Sequence, residues 1–266
     1  MYGAILGDMI GSPYEFKEKV ESKDFEMFNR KIRYTDDSMM TIAVADALMK
    51  AGNDASEETL KDSFVLSMQI WGRKYPKAGY GGRFRKWLKL DNPQPYGSYG
   101  NGSAMRVSPV GWFFDSLDKT IEAAGWSAEV THNHPEGIKG AKAMAAAIYM
   151  ARNGSSKDEI KEFIQKEFRY DLSKTCDEVR PWYQFDVSCQ GTVPFSILAF
   201  LEGEDFEDVI RTAVSLGGDC DTLTCIAGGI AEAFYEVPDD YVIECRKRLP
   251  EDALGVIDSF YKFLRE

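Results

Sequence analysis

The sequence predicts an all-α protein, a single domain of about ten helices or more, from three observations. Apolar residues recur at helical spacing, as do Leu60, Phe64 and Met68 on one predicted helix face. Runs that alternate apolar and polar residues, as strands do, are scarce. No linker or low-complexity window divides residues 1–266.

The predicted helices follow from local composition, in chain order. Residues 38–50 are apolar with high helix propensity and stop before Gly52. Residues 57–71 carry the periodic face described above, residues 137–151 are rich in alanine, and residues 157–168 are amphipathic. The same pattern continues over 192–201, 206–215, 222–235, 239–248 and 255–264. Loops are expected near 12–35, 72–103 and 169–190, and the second of these is long enough to suggest a functional role.

Charge and cysteine content exclude several classes of protein. The formal net charge of −11 argues against general affinity for nucleic acids, although local cations could still bind a small anion. The five cysteines form no C-x-x-C pair, so neither a disulfide framework nor a zinc site is indicated, and reduced thiols fit a cytoplasmic protein. The first residues resemble no signal peptide, and no run reaches the roughly 18 apolar residues of a membrane span.

Two acidic turns stand directly before apolar helices. Thr35, Asp36 and Asp37 precede the helix predicted over 38–50, and Asp219, Asp221 and Thr222 lead into the helix predicted over 222–235. Helix capping explains one acid per helix, because threonine and aspartate are favoured N-caps and acids suit the helix dipole. Capping does not explain two acids with a hydroxyl at each turn.

If the two helices pack side by side with their N-termini level, the six oxygen-bearing side chains converge. Four carboxylates at such distances repel one another, and divalent cations would resolve the conflict. Magnesium prefers octahedral oxygen ligands and keeps several waters, so six protein groups fit two ions that share a bridging carboxylate. Manganese is a possible substitute. The paired glycines Gly217 and Gly218 would allow a close backbone turn beside the ions.

A glycine-rich loop, "PQPYGSYGNGSAMR", covers residues 93–106. Exposed N–H groups of such a loop could cradle a phosphate, although an ordinary connecting loop explains the glycines equally well. Tyr96 and Tyr99 could stack on a base or pack under the loop. Asp8, within the first apolar stretch, is best read as a buried acid satisfied by neighbouring backbone groups.

These motifs together resemble the ADP-ribosylglycohydrolase family, over nearly the whole chain and in the family's order. The residues that carry the resemblance are "GAILGDMIGSPYEF", "YTDDSMM", "GSYGNGSAMR", "THNHPEG" and "SLGGDCDTLTCIAGGIAEAFY". The paired TDD and GGDxDT turns around GNGxxMR are a specific combination. The resemblance implies a compact orthogonal helical bundle with two magnesium ions in a cleft.

The resemblance also implies roles for particular residues. The metal ligands would be Thr35, Asp36, Asp37, Asp219, Asp221 and Thr222. Glu15 falls where some family members carry a mobile glutamate near the scissile ribose, and Asp36 is the other candidate base. The loop of Ser98, Tyr99, Gly100, Asn101 and Gly102 would contact the diphosphate and distal nucleoside, with Tyr99 near the adenine and His132 lining the cleft.

The activity implied is magnesium-dependent cleavage of the C1″ glycosidic or ester bond between ADP-ribose and an acceptor on a protein or small molecule. Two alternatives remain at this stage. One is a non-enzymatic ADP-ribose-binding or structural protein on the same scaffold. The other is a helical metal phosphohydrolase, which is disfavoured because the HD type needs several histidine ligands and the chain has two histidines. The sequence does not name the acceptor, the anomeric course or the oligomeric state.

Overall fold

The structure is a computed structural model that describes residues 1–16 and 22–265. Over these residues it contains fifteen helices and no strand, apart from one isolated antiparallel bridge between Gly100 and Ser188. The prediction of an all-α fold is therefore confirmed. In chain order the helices are α1 (Tyr2–Gly11), α2 (Asp36–Ala51), α3 (Glu57–Lys74), α4 (Gly82–Trp87), α5 (Gly102–Met105), α6 (Ser108–Phe113), α7 (Leu117–Glu129), α8 (Pro135–Arg152), α9 (Lys157–Phe168), α10 (Cys176–Val179), α11 (Cys189–Glu202), α12 (Phe206–Leu216), α13 (Cys220–Phe234), α14 (Asp239–Arg246) and α15 (Glu251–Phe263).

Every helix predicted from periodicity is present, with ends shifted by a few residues. Side-chain caps explain some of the shifts. The Ser188 hydroxyl accepts a hydrogen bond from the Gly191 N–H, so α11 begins before the predicted start at residue 192. Ser156 and Glu159 form a reciprocal capping box at the start of α9, and there the predicted and observed helices coincide.

The predicted loops contain helices that periodicity did not reveal. Helix α4 lies within 72–103 and α10 within 169–190, so these two loop predictions were wrong in part. Both helices are short, at 6 and 4 residues, and therefore show less than two full turns of pattern. Helix α7 was also not predicted. It buries mainly small residues, including Ala123, Ala124 and Ala128.

The closest helix pair in the bundle is α1 against α13. A Cβ added to Gly3, Gly7 or Gly11 would lie 2.1–2.5 Å from backbone oxygens of α13. Glycine at every fourth position therefore lets the two backbones come together. This contact brings the C-terminal half of α1, which carries Asp8, beside the N-terminus of α13, which carries Asp221.

The apolar side chains form one continuous core that draws residues from Met1 to Phe260. All five cysteines are buried and free, as the absence of a C-x-x-C pair predicted. None of the helices in the described ranges combines the length and the apolar character needed to cross a bilayer.

Candidate active site

Both acidic turns open into one cavity of about 450 Å³, a size typical of small-molecule sites. The N-termini of α2 and α13 contribute its carboxylates, and the glycine-rich loop and His132 also line it. The predicted residues that line the cavity are Glu15, Asp36, Asp37, Ser98, Gly100, Asn101, Gly102, His132, Asp219, Asp221 and Thr222.

The carboxylates form two overlapping groups. Asp8, Asp37 and Asp221 each offer an oxygen atom within 4.8 Å of the others, and so do Glu15, Asp219 and Asp221. Asp221 belongs to both groups. Asp36 belongs to neither group, and a Cβ on Gly79 would stand 2.8 Å from its Oδ1. The tertiary structure therefore brings the two acidic turns together, and it adds Asp8 and Glu15 to them.

Burial and mutual repulsion make this arrangement costly without cations. Burial, followed by the charge of Asp8, raises the pKa of Asp36 to about 7. Burial and Asp219 raise the pKa of Glu15 to about 7 as well. The pKa values of Asp37 and Asp221 lie well above the usual range, again because of burial first and neighbouring carboxylates second. The ionised form of each of these carboxylates is therefore destabilised within the folded protein.

Asp8 is satisfied by four hydrogen bonds. Its Oδ2 accepts from the N–H groups of Thr35 (2.8 Å) and Ser38 (3.1 Å), and its oxygens also accept from the Thr35 hydroxyl (2.6 Å) and the Ser38 hydroxyl. The interpretation of Asp8 as a buried acid with backbone partners is confirmed. The same bonds orient Thr35, which also caps α2 by accepting from the Asp37 N–H at 3.3 Å.

The remaining oxygens fit a divalent cation. Asp37 Oδ1 is buried and has no hydrogen-bond partner among the described residues, which is costly for a carboxylate oxygen. Asp219 stands at the N-cap of α13 yet makes no capping bond, so capping alone does not account for it. Carboxylates and hydroxyls are the hard oxygen ligands that magnesium and manganese prefer. These buried acidic residues could therefore hold metal ions.

The glycine-rich loop lines the cavity, but some of its backbone N–H groups already form hydrogen bonds within the protein. The Asn101 N–H donates to the Val187 carbonyl at 2.8 Å, and the Gly100 N–H donates to the Ser98 hydroxyl at 3.2 Å. Asn101 Nδ2 donates to Asp219 Oδ2 at 2.6 Å, which fixes the loop against the second acidic turn. Two backbone donors that a phosphate cradle would offer are thus already engaged.

Two predicted residues do not line the cavity. Thr35 is buried behind it, against Asp8. Tyr99 is half exposed and lies edge-on to the His134 ring at 5.4 Å between ring centroids. Tyr96 lines the wall instead, where the Arg83 guanidinium stacks 4.8 Å from its ring.

Sequence reasoning missed several residues of the cavity. The segment "GYGGRF" over 79–84 forms one wall, and its glycines were a local signal that was not used. Phe16 and Phe185 meet at the mouth with ring centroids 5.6 Å apart, although they are far apart in sequence. Arg106 also reaches the cavity from a fully buried position.

Comparison with known proteins places this cavity in a family context. A family model described as ADP-ribosylglycohydrolase matches residues 1–263. The chain is 27% identical to ADP-ribosylhydrolase ARH3 of Homo sapiens, over 95% of this chain and 90% of that protein. It is 24% identical to the ADP-ribosylarginine hydrolase Tri1 of Pseudomonas putida, over 89% of this chain and 70% of that protein.

A solved structure gives an independent comparison of the fold. The structure titled "ADP-ribosylglycohydrolase-related protein complex" superposes with a TM-score of 0.72 and 21% identity. The match covers 98% of this chain and 95% of that chain, so the helical architecture is shared throughout. Since the family model spans the chain from its first residue to residue 263, the protein belongs to the ADP-ribosylglycohydrolase family.

Proposed function

We propose that the protein is a magnesium-dependent hydrolase that cleaves the bond at C1″ between ADP-ribose and an acceptor and releases ADP-ribose. The observation that carries the proposal is the convergence of two acidic turns, with Asp221 common to both carboxylate groups, in one cavity that the glycine-rich loop also lines. Membership of the ADP-ribosylglycohydrolase family supports the same reaction class.

The proposed metal ligands are Thr35, Asp36, Asp37, Asp219, Asp221 and Thr222, with Asp8 orienting Thr35 through two hydrogen bonds. When bound, two magnesium ions, or manganese ions in their place, would supply the positive charge that holds the ribose 2″ and 3″ hydroxyls and offsets the anionic substrate. The position shared by Asp221 suits a carboxylate that bridges two ions.

Glu15 is the proposed general base. It lines the cavity, is half buried, and lies close enough to Asp219 for their charges to interact. A group whose pKa is near 7 can take up and return a proton near neutral pH, which suits removal of a proton from the attacking water. Asp36, which lines the same cavity and has a similar pKa, is the alternative base.

The glycine-rich loop and His132 would bind the rest of ADP-ribose. Ser98, Gly102 and His132 line the cavity and would contact the diphosphate of the proposed substrate. Asn101 ties the loop to Asp219, so the metal-binding side and the nucleotide-binding side would be held in a fixed relation.

The proposal is tested by incubating the protein with defined ADP-ribose conjugates and magnesium and measuring free ADP-ribose. The panel should include ADP-ribosyl arginine and serine peptides, an O-acetyl ester, a guanidine compound and an ADP-ribosylated nucleic-acid end. We expect release from at least one conjugate. Binding of ADP-ribose without release from any conjugate would favour the non-enzymatic alternative, and release of phosphate would favour a phosphohydrolase.

Free ADP-ribose should inhibit as a product, because it retains the diol, the diphosphate and the base. AMP should bind far more weakly, since it lacks the distal ribose, whose 2″ and 3″ hydroxyls the carboxylates of the cavity would hold through magnesium. Titration calorimetry with magnesium present measures both affinities. Equal affinities for AMP and ADP-ribose would show that the distal ribose is not the anchor, and the hydrolase proposal would lose its physical basis.

Tyr99→Ala should weaken ADP-ribose binding by roughly 1–3 kcal/mol if the ring stacks on the adenine, as aromatic rings do on bases in nucleic-acid sites. The Tyr99 ring is half exposed, so part of its surface is accessible to such a partner. Tyr149→Ala, near the C-terminal end of α8, is a matched control that should leave affinity unchanged. An unchanged affinity in Tyr99→Ala would place the adenine elsewhere, and Tyr96 would be the next ring to test.

A further inference from the structure

Arg106 is a buried cation without an anionic partner. Its side chain is 1% exposed, and no carboxylate of residues 1–16 or 22–265 forms an ion pair with it. Its Nη2 donates to the Ser127 carbonyl at 2.7 Å and to the Thr131 hydroxyl oxygen at 2.8 Å. Burial lowers the pKa of Arg106 only to about 10, so the guanidinium keeps its charge at neutral pH.

The hydrogen bond from Arg106 determines how the Thr131 hydroxyl is used. Because arginine only donates, the Thr131 oxygen must accept, and its own proton is left for another partner. The partner within reach is Nδ1 of His132, at 2.7 Å. In the described part of the chain, no other acceptor is recorded for this hydroxyl. Arg106 therefore donates a hydrogen bond to the Thr131 hydroxyl, and the Thr131 hydroxyl donates one to Nδ1 of His132.

This order fixes the state of the His132 ring. If Nδ1 accepts from Thr131, the ring proton of neutral histidine must be on Nε2. Burial, together with the charges of Arg106 and Arg83, lowers the pKa of His132 well below its ordinary value and keeps the ring neutral. Nε2 points toward the glycine-rich loop, where a Cβ on Gly102 would lie 3.2 Å away and one on Gly100 3.5 Å away.

We propose that Arg106, acting through Thr131, is a positioning residue that holds His132 as a fixed Nε2–H donor to an anionic oxygen of the substrate. The inference rests on the proposed function, in which the anionic oxygen belongs to the diphosphate of ADP-ribose. A neutral imidazole with a set tautomer donates without any reorientation when the substrate arrives.

The surrounding charge selects an anionic oxygen rather than a neutral acceptor. Arg83 and Arg106 both line the cavity, and both lie close enough to His132 for their positive charges to act on its ring. The Arg83 side chain is anchored by its contact with the Tyr96 ring and by donating to the Tyr96 carbonyl. The cavity thus has two cationic groups near His132 that would attract the diphosphate, in addition to the carboxylates proposed for metal ions.

The first test reads the tautomer directly by ¹⁵N NMR of the metal-loaded protein. The chain has only two histidines, and His134→Asn assigns the signals. We expect the His132 ring to carry its proton on Nε2 and to remain neutral at pH 7. A ring protonated on Nδ1, or on both nitrogens, would overturn the proposal whatever the enzyme assays show.

The second test compares three variants by calorimetric titration with ADP-ribose and magnesium. Thr131→Val removes the hydroxyl link while keeping the backbone, and should raise the Kd for ADP-ribose about tenfold, the scale of a hydrogen bond to a charged group. Thr131→Ser keeps the hydroxyl and should restore wild-type affinity. Thr120→Val makes the same change at a buried threonine of α7, where the hydroxyl donates to the Ser116 carbonyl, and should leave Kd unchanged.

Titrating ADP and adenosine as well separates a failure of the role proposed for His132 from a failure of the proposed function. ADP should lose the same factor as ADP-ribose in Thr131→Val, while adenosine, which has no phosphate, should lose nothing. An equal loss for adenosine, or a Thr131→Val Kd equal to that of the wild type, would overturn the role assigned to His132. If wild-type protein fails to bind ADP-ribose at all, the proposed function fails, and the NMR result still decides the tautomer.

Discussion

Asp221→Asn should abolish turnover and remove most of the stabilisation that magnesium gives the fold. Asp221 belongs to both carboxylate groups, so its loss weakens each proposed ion site. A ligand that binds only the folded state stabilises it by about 2.7 kcal/mol at a concentration of one hundred times its Kd. We therefore expect a rise in Tm with magnesium, and a fall with a chelator, in the wild type but not in Asp221→Asn.

The control for this prediction is Asp158→Asn, which removes an exposed first-turn acid from α9. It should keep full turnover and the full magnesium-dependent shift in Tm. Without metal, Asp221→Asn should be at least as stable as the wild type, because it removes a buried, repelled carboxylate. Full wild-type activity in excess chelator would rule out the metal-dependent mechanism.

The pH dependence of the metal-free protein gives a further check on the same carboxylates. Glu15 and Asp36 have folded-state pKa values of about 7, above their unfolded values near 4. The stability linked to their protonated forms is complete below pH 4 and is lost as the pH rises through 7. The Tm increase caused by magnesium should therefore be larger at pH 8 than at pH 5.

Glu15→Gln should reduce kcat by about 10²–10⁴-fold, the usual contribution of a general base. The change is nearly isosteric and removes the proton-accepting charge. Glu15 also lies within 4.8 Å of Asp219 and Asp221 by its carboxylate oxygen, so a role as a metal ligand must be separated from a role as a base. A base predicts a large fall in kcat with magnesium affinity and ADP-ribose affinity nearly intact.

The two roles of Glu15 are distinguished by measuring kcat, the magnesium Kd and the ADP-ribose Kd on the same preparation. A parallel loss of magnesium affinity would reassign Glu15 as a ligand. An unaltered kcat would show that another residue acts as the base, and Asp36 would be the first residue to test. Glu26→Gln is the matched control. Glu26 is an exposed glutamate whose charge contributes to the raised pKa of Tyr14, and its replacement should leave all three constants unchanged.

Much of the fold could be predicted because helices are local structures. The periodicity of residues 57–71 and the amphipathic pattern of residues 157–168 predicted α3 and α9 closely. Short helices such as α4 and α10 were missed because fewer than two turns do not establish a period. In α4, Phe84 and Trp87 are buried, and their rings stack with centroids 5.4 Å apart.

The composition of the acidic site could also be predicted, but its completeness could not. Two acids and a hydroxyl at each turn exceed what capping needs, and that excess is visible in the sequence. Asp8 joined them only because glycines on α1 allow its backbone to approach α13 at van der Waals distance. The local sequence around Asp8 does not indicate which helix packs against it.

The sequence by itself determined the helical class, the positions of the acidic turns and the membership of residues 98–101 in one loop, because spacing along the chain encodes each of them. Only the tertiary structure decided which groups meet. It placed Asp221 between two carboxylate groups, brought Arg106 and Thr131 behind His132, and turned Tyr99 away from the cavity wall. These outcomes depend on packing between distant segments, where the direction of a side chain is set by its neighbours in space.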